Sequence, residues 1–436
     1  MTETLNKTDT ILKRIFWLSE QDKEKCFGSL MHLFNQKSLE QCFHELDGNK
    51  AVGIDGVNKE AYGKNLQENI EDLVERMKRM AYIPGPVRQV LIPKEGKPGA
   101  TRPLGISNFE DKIIQRMTQK VLEAIYEPIF LDCSHGFRPK RGCHTAIQEL
   151  MDHLYSNEVQ TIIDIDLKNF FGTIDHKMLE DLLKEKISDF TFMRYINRML
   201  KAGVLAEGEM NIDEEGVPQG SCCSPILSGI FAHYALDVWI EGTVKEHCKG
   251  KVKLIRYADD AVICCELEED AIRIRASLGK RLDKFKLQLN EEKTKLVGFN
   301  KAKARLGIKQ GTFDFLGFTF YWTRSRGMRI IPKLKTRGKT VKAKLKKVKE
   351  WVKQERHKAP MKKLWDRFCK KLGGHIAYYG VSHNFRQVQS FVTRSTRIFF
   401  KWMNRRSQKK SFNWKDFQKF LQRNPLPKVR IVHPLF

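Results

Sequence analysis

Two clusters of carboxylates carry the strongest chemical signal in this chain. Asp259 and Asp260 stand side by side in Tyr257-Ala-Asp-Asp260, between the apolar runs Val252–Arg256 and Ala261–Cys265. Aspartate favours turns, so a pair at the tip of a hairpin has a structural reading of its own. The second cluster shifts the balance. Asp164 and Asp166 alternate with Ile163, Ile165 and Leu167, and period-2 geometry sends both carboxylates out of one strand face. Carboxylates within an apolar strand are costly unless solvated, paired or bound to metal. Brought together, the two clusters make an all-oxygen site suited to Mg²⁺, with Mn²⁺ as a substitute. Two such ions can clamp the attacking and leaving oxygens of an in-line phosphoryl displacement. Pro218-Gln-Gly-Ser221 precedes an apolar helix; it could offer a helix N-terminus to a phosphate, or only cap the helix. Lys293 could protonate a departing pyrophosphate, or be a surface lysine.

These groups need a scaffold, and the pattern around them predicts an α/β middle. Thr161–Leu167, Val252–Arg256 and Ala261–Cys265 read as strands, the last two around the Asp-Asp turn. Helices are expected from about Lys177, over Pro225–Trp239 and over Ala271–Leu287. Upstream, Val87–Pro93 and Arg102–Ile106 read as a hairpin turning at Gly96–Gly99. A helix then starts at Asn108, with Ile114, Met117, Val121 and Ile125 at helical spacing. The first ~80 residues read as helices. Phe313–Tyr321 is a strand pair or one long strand. The tail from Lys333 is expected to be all-helical, with Val341, Leu345, Val348 and Val352 as its first apolar stripe.

Charge divides the chain. Of 436 residues, 79 are Lys or Arg and 52 are Asp or Glu, for a net +27. Residues 321–436 hold 33 of the basic and 4 of the acidic side chains, a net of +29, which leaves −2 for residues 1–320. A field of that size on one module points to a polyanion, nucleic acid before an anionic membrane. The first seven residues do not read as a secretory signal, and nothing approaches ~20 consecutive apolar residues, which excludes a helical membrane span. The ten cysteines form no Cys-x-x-Cys pair and are expected to be reduced thiols in a cytoplasmic protein.

Taken in order, the motifs resemble a reverse transcriptase of the group II intron type. They are Gly53-Ile-Asp-Gly-Val57, Ile92-Pro-Lys94 with Arg102-Pro-Leu-Gly-Ile106, and Ser134-His-Gly-Phe-Arg-Pro-Lys-Arg-Gly142. Asp166-Leu-Lys-Asn-Phe-Phe171 with Ile174-Asp-His176 follows, then Pro218–Ser221 with Ser224-Pro-Ile-Leu-Ser228, Tyr257–Asp260, Leu289–Thr294 and Phe315-Leu-Gly-Phe318. Gly374-His-Ile-Ala-Tyr-Tyr-Gly380 and Phe400-Lys-Trp-Met-Asn-Arg-Arg-Ser407 resemble the family's thumb and maturase region.

The resemblance implies an α+β right-hand polymerase. Residues 1–85 would be a helical extension and the start of the fingers, 86–325 the fingers and palm, and 326–436 a helical, basic, RNA-binding thumb/maturase domain. The metal triad would be Asp166, Asp259 and Asp260, with the Leu167 carbonyl as a further ligand. Lys94 and Arg102 would grip the triphosphate, Phe171 would exclude a ribose 2′-hydroxyl, and Gln219 would touch the nucleotide or template. Nucleic acid would meet Arg138, Lys140, Arg141 and Tyr257, and in the tail Lys344, Lys347, Arg405 and Arg406. Two departures stand out: Gly172 where many relatives carry Asp, and Cys222-Cys223 in an unusual version of the Gln-Gly motif. No Cys- and His-rich tail follows, so the metal-dependent DNA endonuclease domain of some relatives is expected to be absent. The implied partners are an RNA template, a DNA primer or target and dNTPs, for a monomer or homodimer located in the cytoplasm, at the nucleoid when on target DNA. A reverse transcriptase serving defence or repair, and a maturase that needs no polymerase activity, are the alternatives. An RNA-templated RNA polymerase is disfavoured by Phe171.

Overall fold

The computed structural model describes residues 7–435 except 94–98, 100, 207–208, 212–214, 218–219 and 407–412. It is mixed helix and sheet, and it divides into two compact units. One gathers the chain up to Ala146 together with Ile163–Leu296; the other gathers Ile147–Ile162 with the chain from Val297 onward.

In the first unit, strands β1 (Val87–Pro93) and β2 (Thr101–Ile106) pair antiparallel, Arg88 opposite Ile106 and Pro93 opposite Thr101. Pro103 is tolerated because β2 is an edge strand, with order β2-β1-β4-β5, where β4 is Val204–Ala206 and β5 Glu209–Asn211. The second sheet has the order β6-β7-β3-β8. Its strands are β3 (Thr161–Asp166), β6 (Val252–Tyr257), β7 (Asp260–Cys265) and β8 (Lys295–Gly298). Ile162, Ile163, Ile165, Leu254, Ile255, Val262 and Ile263 are all buried. The sheet face of Ile163, Ile165, Leu254 and Ile263 shares one core with the Phe109–Tyr126 helix, whose Ile113, Ile114, Met117, Val121 and Ile125 are fully enclosed.

The expected Pro225–Trp239 helix is longer and less regular than its apolar run suggests. Regular α-helix ends at Ala232, a π-helical turn covers His233–Asp237, a second covers Ile240–Val244, and the helix ends at His247. Composition does not signal a π turn, because the extra residue is set by what the side chains must reach.

In the second unit, Phe313–Tyr321 is a strand pair. β9 (Phe313–Phe315) and β10 (Phe318–Arg324) join through Leu316 and Gly317, both at positive φ (47° and 81°), the geometry of a tight two-residue hairpin. β11 (Ile330–Thr336) pairs antiparallel with β10. This corrects the all-helical reading of the tail from Lys333. The β-branched Ile330, Ile331 and Thr336 have a partner in the preceding strand β10, a pairing that helical periodicity does not show. The step in charge therefore falls within this unit, because the sheet packs with the helices that follow: Phe318 meets the rings of Tyr378 and Tyr379, and the Tyr378 hydroxyl donates to the Leu316 carbonyl at 3.0 Å.

The remaining elements are helices at Gly338–Glu355, Met361–Tyr379, Phe385–Met403 and Trp414–Arg423. Leu345 and Val352 are buried, while Lys342, Lys346, Lys347 and Lys349 are exposed, so the stripe read from the sequence is the face that packs. Trp365, Phe368, Phe399 and Phe417 form the aromatic centre of the bundle. Among the described residues, no helix is long and apolar enough to cross a membrane.

His375 is enclosed in this bundle, stacked on Phe391 at 3.7 Å, and neither ring nitrogen has a hydrogen-bond partner among the described residues. Burial, helped by the Lys344 charge, pushes its pKa down from 6.5 to about 3. The folded chain keeps the ring neutral, while the unfolded chain takes up a proton below about pH 6.5. Stability is therefore lost as the pH falls from 6.5 towards 3, at up to about 1.4 kcal/mol per pH unit from this group. Thermal melts of the wild type and of His375→Phe between pH 7.5 and 4.5 test this: the variant should show the flatter acid limb, and an equal slope in both proteins refutes it.

Candidate active site

Asp166 is the last residue of β3, where the strand leaves its apolar pairing. The segment Asn290–Thr294 fastens it there: the Asn290 amide donates to the Asp166 carbonyl at 2.8 Å, and the Asp166 amide to the Thr294 side-chain hydroxyl at 3.2 Å. Leu167 faces Leu289 as an antiparallel bridge made by the amides of Lys168 and Asn290. That pattern leaves the Leu167 carbonyl outside the pairing. The same segment delivers Lys293, whose Nζ lies 2.7 Å from Asp166 Oδ1.

Asp259 comes from the hairpin between β6 and β7. Tyr257 pairs with Asp260, so Ala258 and Asp259 alone form the loop. The Asp259 carboxyl reaches solvent but is crowded by protein, and its pKa is raised. Desolvation is the main cause and the nearby Asp166 charge adds to it, while Arg102 and Lys293 pull the other way. Four of the expected groups thus share one electrostatic neighbourhood: Asp166, Asp259, Lys293 and Arg102. Asp260 begins β7 directly beside them in sequence. Among the described residues, no three carboxylate, histidine or cysteine side chains are close enough to hold an ion as they stand. The donor set nonetheless fits a hard divalent cation. Two repelling carboxylates with a free backbone carbonyl nearby, and with phosphate oxygens as further ligands, are how such ions are commonly bound, and an ammonium already neutralises one of the carboxylates.

Phe171 lies in a 3-10 turn, Phe170–Gly172, and is half-buried. The strand-like segment at Gly216–Val217 secures it, the Val217 amide donating to the Phe171 carbonyl at 2.7 Å. At the departure Gly172, a Cβ would stand 2.3 Å from Asn169 Nδ2, so a side chain there requires the Asn169 amide to turn away. Gly220 packs on β2, where a Cβ would meet the Gly105 carbonyl at 2.3 Å. The loop that carries Gln219 is thereby tied to the strand that carries Arg102. Gln219 itself, like Lys94, lies outside the described residues.

One expected nucleic-acid contact is corrected. Arg138 is buried; its guanidinium takes both oxygens of Glu127 at 3.0–3.1 Å and the carbonyls of Leu131 and Ser134 at 2.7 and 2.9 Å. It has no capacity left for a phosphate and serves as an internal brace. Its neighbours differ. Lys140 is exposed, and Arg141 is half-buried on Asp132 at 2.6 Å. Tyr257 is half-buried beside the exposed ring of Phe137, centroids 6.2 Å apart. Sequence reasoning missed Phe137, although an aromatic between Gly136 and Arg138, held at positive φ (58°), is a visible signal. In the second unit, Lys344 lies over the Tyr379 ring at 4.6 Å and Arg405 over Trp402 at 5.3 Å. Arg406 donates to the Ala359 carbonyl at 3.0 Å, and Lys347 is exposed.

Known proteins share this arrangement of motifs. The chain is 34% identical over 230 residues to the group II intron-encoded protein LtrA of Lactococcus lactis subsp. cremoris, which is 52% of this chain and 38% of LtrA. It is 32% identical over 310 residues to protein YkfC of Escherichia coli (64% of this chain, 78% of YkfC). It is 30% identical over 306 residues to the putative COX1/OXI3 intron 1 protein of Saccharomyces cerevisiae (59% of this chain, 35% of that protein). The chain thus spans under two fifths of LtrA. The profile of the reverse transcriptase (RNA-dependent DNA polymerase) family matches residues 92–320, from the β1–β2 hairpin past both carboxylate clusters to β10. That match covers more than half of the 436 residues, and the chain belongs to the reverse transcriptase family.

Proposed function

We propose that this chain is an RNA-directed DNA polymerase of the group II intron type that also assists intron RNA splicing. The observation that carries the reading is the meeting of Asp166 and Asp259, from neighbouring strands of one sheet, with Lys293 and Arg102 around them. Residues 86–325 would act as fingers and palm, and 326–436 as an RNA-binding thumb and maturase surface. Asp166, Asp259, Asp260 and the Leu167 carbonyl would hold Mg²⁺. When bound, the ions supply positive charge to the attacking 3′-oxygen and to the leaving phosphate oxygens. The protein's own groups do the rest. Arg102 binds the triphosphate and orients it. Lys293, an ammonium beside Asp166, gives a proton to the departing pyrophosphate. Phe171 fills the space a 2′-hydroxyl would need, so dNTPs are preferred over rNTPs. Tyr257, with Phe137 next to it, offers an aromatic surface to the primer end.

Asp259→Asn keeps the size of the side chain and removes its charge. Primer extension on an RNA template should fall at least about 100-fold, the scale of losing one preorganised electrostatic group, with template–primer affinity unchanged. Extension at the wild-type rate by this variant would end the polymerase reading. Phe171→Ala should raise rNTP incorporation relative to dNTP roughly tenfold or more; an unchanged ratio removes the steric role of this ring.

The tail is tested by salt. Its cationic helix face has few acids to neutralise it, so RNA binding there should release counterions. Replacing Lys342, Lys346 and Lys349 with Gln should make the plot of log affinity against log salt shallower by about 0.7 for each single-strand phosphate that is no longer neutralised. An unchanged slope places the RNA elsewhere.

A further inference from the structure

The turn that presents Asp259 is strained. Two-residue hairpins favour glycine, asparagine or aspartate where φ is positive, yet here Ala258 takes φ 57°. A non-glycine residue persists in that region when its surroundings impose it. The surroundings are visible. Arg256, two residues before Ala258, is among the largest fully buried side chains in the protein. Its Nη1 donates to the Ala258 carbonyl at 3.0 Å, its Nε to Asp237 Oδ1 at 2.6 Å, and its Nη2 to Ser134 Oγ at 2.8 Å and to Asp237 Oδ2.

Asp237 is wholly buried and closes the π-helical turn His233–Asp237. Such turns are rare and recur at functional sites; this one supplies the carboxylate that orients the guanidinium. The backbone of Arg256 is held as well, its amide on the Cys133 carbonyl and its carbonyl by the His135 amide, both at 2.8 Å. Gly136 then presses on the turn from the neighbouring segment, where a Cβ would stand 2.3 Å from the Ala258 nitrogen.

We propose that Arg256, oriented by Asp237, is a positioning residue for nucleotide transfer: its bond to the Ala258 carbonyl fixes the strained turn, and so the direction in which Asp259 points. Arg256 touches neither the Asp259 carboxylate nor the reacting atoms. This inference rests on the polymerase reading above.

The test uses the full chain and three substitutions. Arg256→Lys keeps a buried cation against Asp237 but gives up the fork that spans Asp237 and Ala258. Gly136→Ala leaves Arg256 and Asp237 untouched and pushes on the turn directly. Ser134→Ala removes a bond from the same guanidinium that does not lead to the turn. Arg256→Lys and Gly136→Ala should each lower kcat for primer extension by about 100-fold, the scale of a small misplacement of a reacting group. Template–primer affinity should stay within about twofold of wild type. Mn²⁺ binding to the chain carrying template–primer, followed by electron paramagnetic resonance, should weaken several-fold. Ser134→Ala should stay close to wild type in all three. Wild-type kcat and Mn²⁺ affinity in both Arg256→Lys and Gly136→Ala overturn the proposal. So does an equal loss in Ser134→Ala, which would mark a general stability effect. A wild-type chain that extends no primer overturns the polymerase reading itself, and is distinguished by that alone.

Discussion

Two carboxylates that repel each other must be held together, and most of the first unit serves that constraint. Like charges at a few ångströms disfavour their joint ionisation, and a folded chain tolerates them only where other interactions fix the backbone beneath. Here the fixing interaction is burial. Ile163, Ile165, Leu254 and Ile263 anchor β3, β6 and β7 in a single core, at a gain of roughly 1.5–3 kcal/mol for each side chain fully removed from water. Asp166 ends β3, and Asp259 lies in the turn that joins β6 to β7. The repulsion is then tempered at close range by Lys293 and Arg102. The carboxylates are thus held together by apolar packing far more than by their own polar contacts.

The same economy bears on how, in the proposed function, the near-neutral part of the chain would handle polyanions. Residues 1–320 carry no excess of positive charge, so attraction there depends on a few placed groups. Arg102 is such a group, exposed on an edge strand. Arg138, chemically identical, is not, because Glu127 and two carbonyls consume its donors. In the tail the logic reverses. Many lysines stand on helix faces whose opposite side is packed, so any affinity proposed for the tail would come from the sum of many weak, salt-sensitive contacts.

Much of this was legible from local pattern. Strands β3, β6 and β7 announce themselves by period-2 alternation and by short apolar runs broken at the Asp-Asp pair. The hairpin of β1 and β2 is marked by prolines and glycines. The stripe of Val341, Leu345, Val348 and Val352 is the face that packs. What stayed hidden depends on which groups meet in space. β11 is a strand because β10 pairs with it. The π turn carries Asp237, whose partner is Arg256. Arg138 and Lys140 look alike in the motif, yet one is buried and the other exposed. Gly172, a departure from the family pattern, is a place where a side chain would meet the Asn169 amide.

By itself the sequence determined the chemistry on offer: oxygen ligands in two clusters, a cationic tail, and an order of motifs that identifies the family. Residue types and their periodicity are local properties, and they suffice for that. The tertiary structure alone decided which of those groups meet. Asp166, Asp259, Lys293 and Arg102 are brought into one neighbourhood across up to 191 positions of chain, and the strained Ala258 turn is held from beneath by Arg256. Steric contact ends within a few ångströms and screened charge interactions within about 10 Å, so their outcome depends on distances in space that spacing along the chain does not encode.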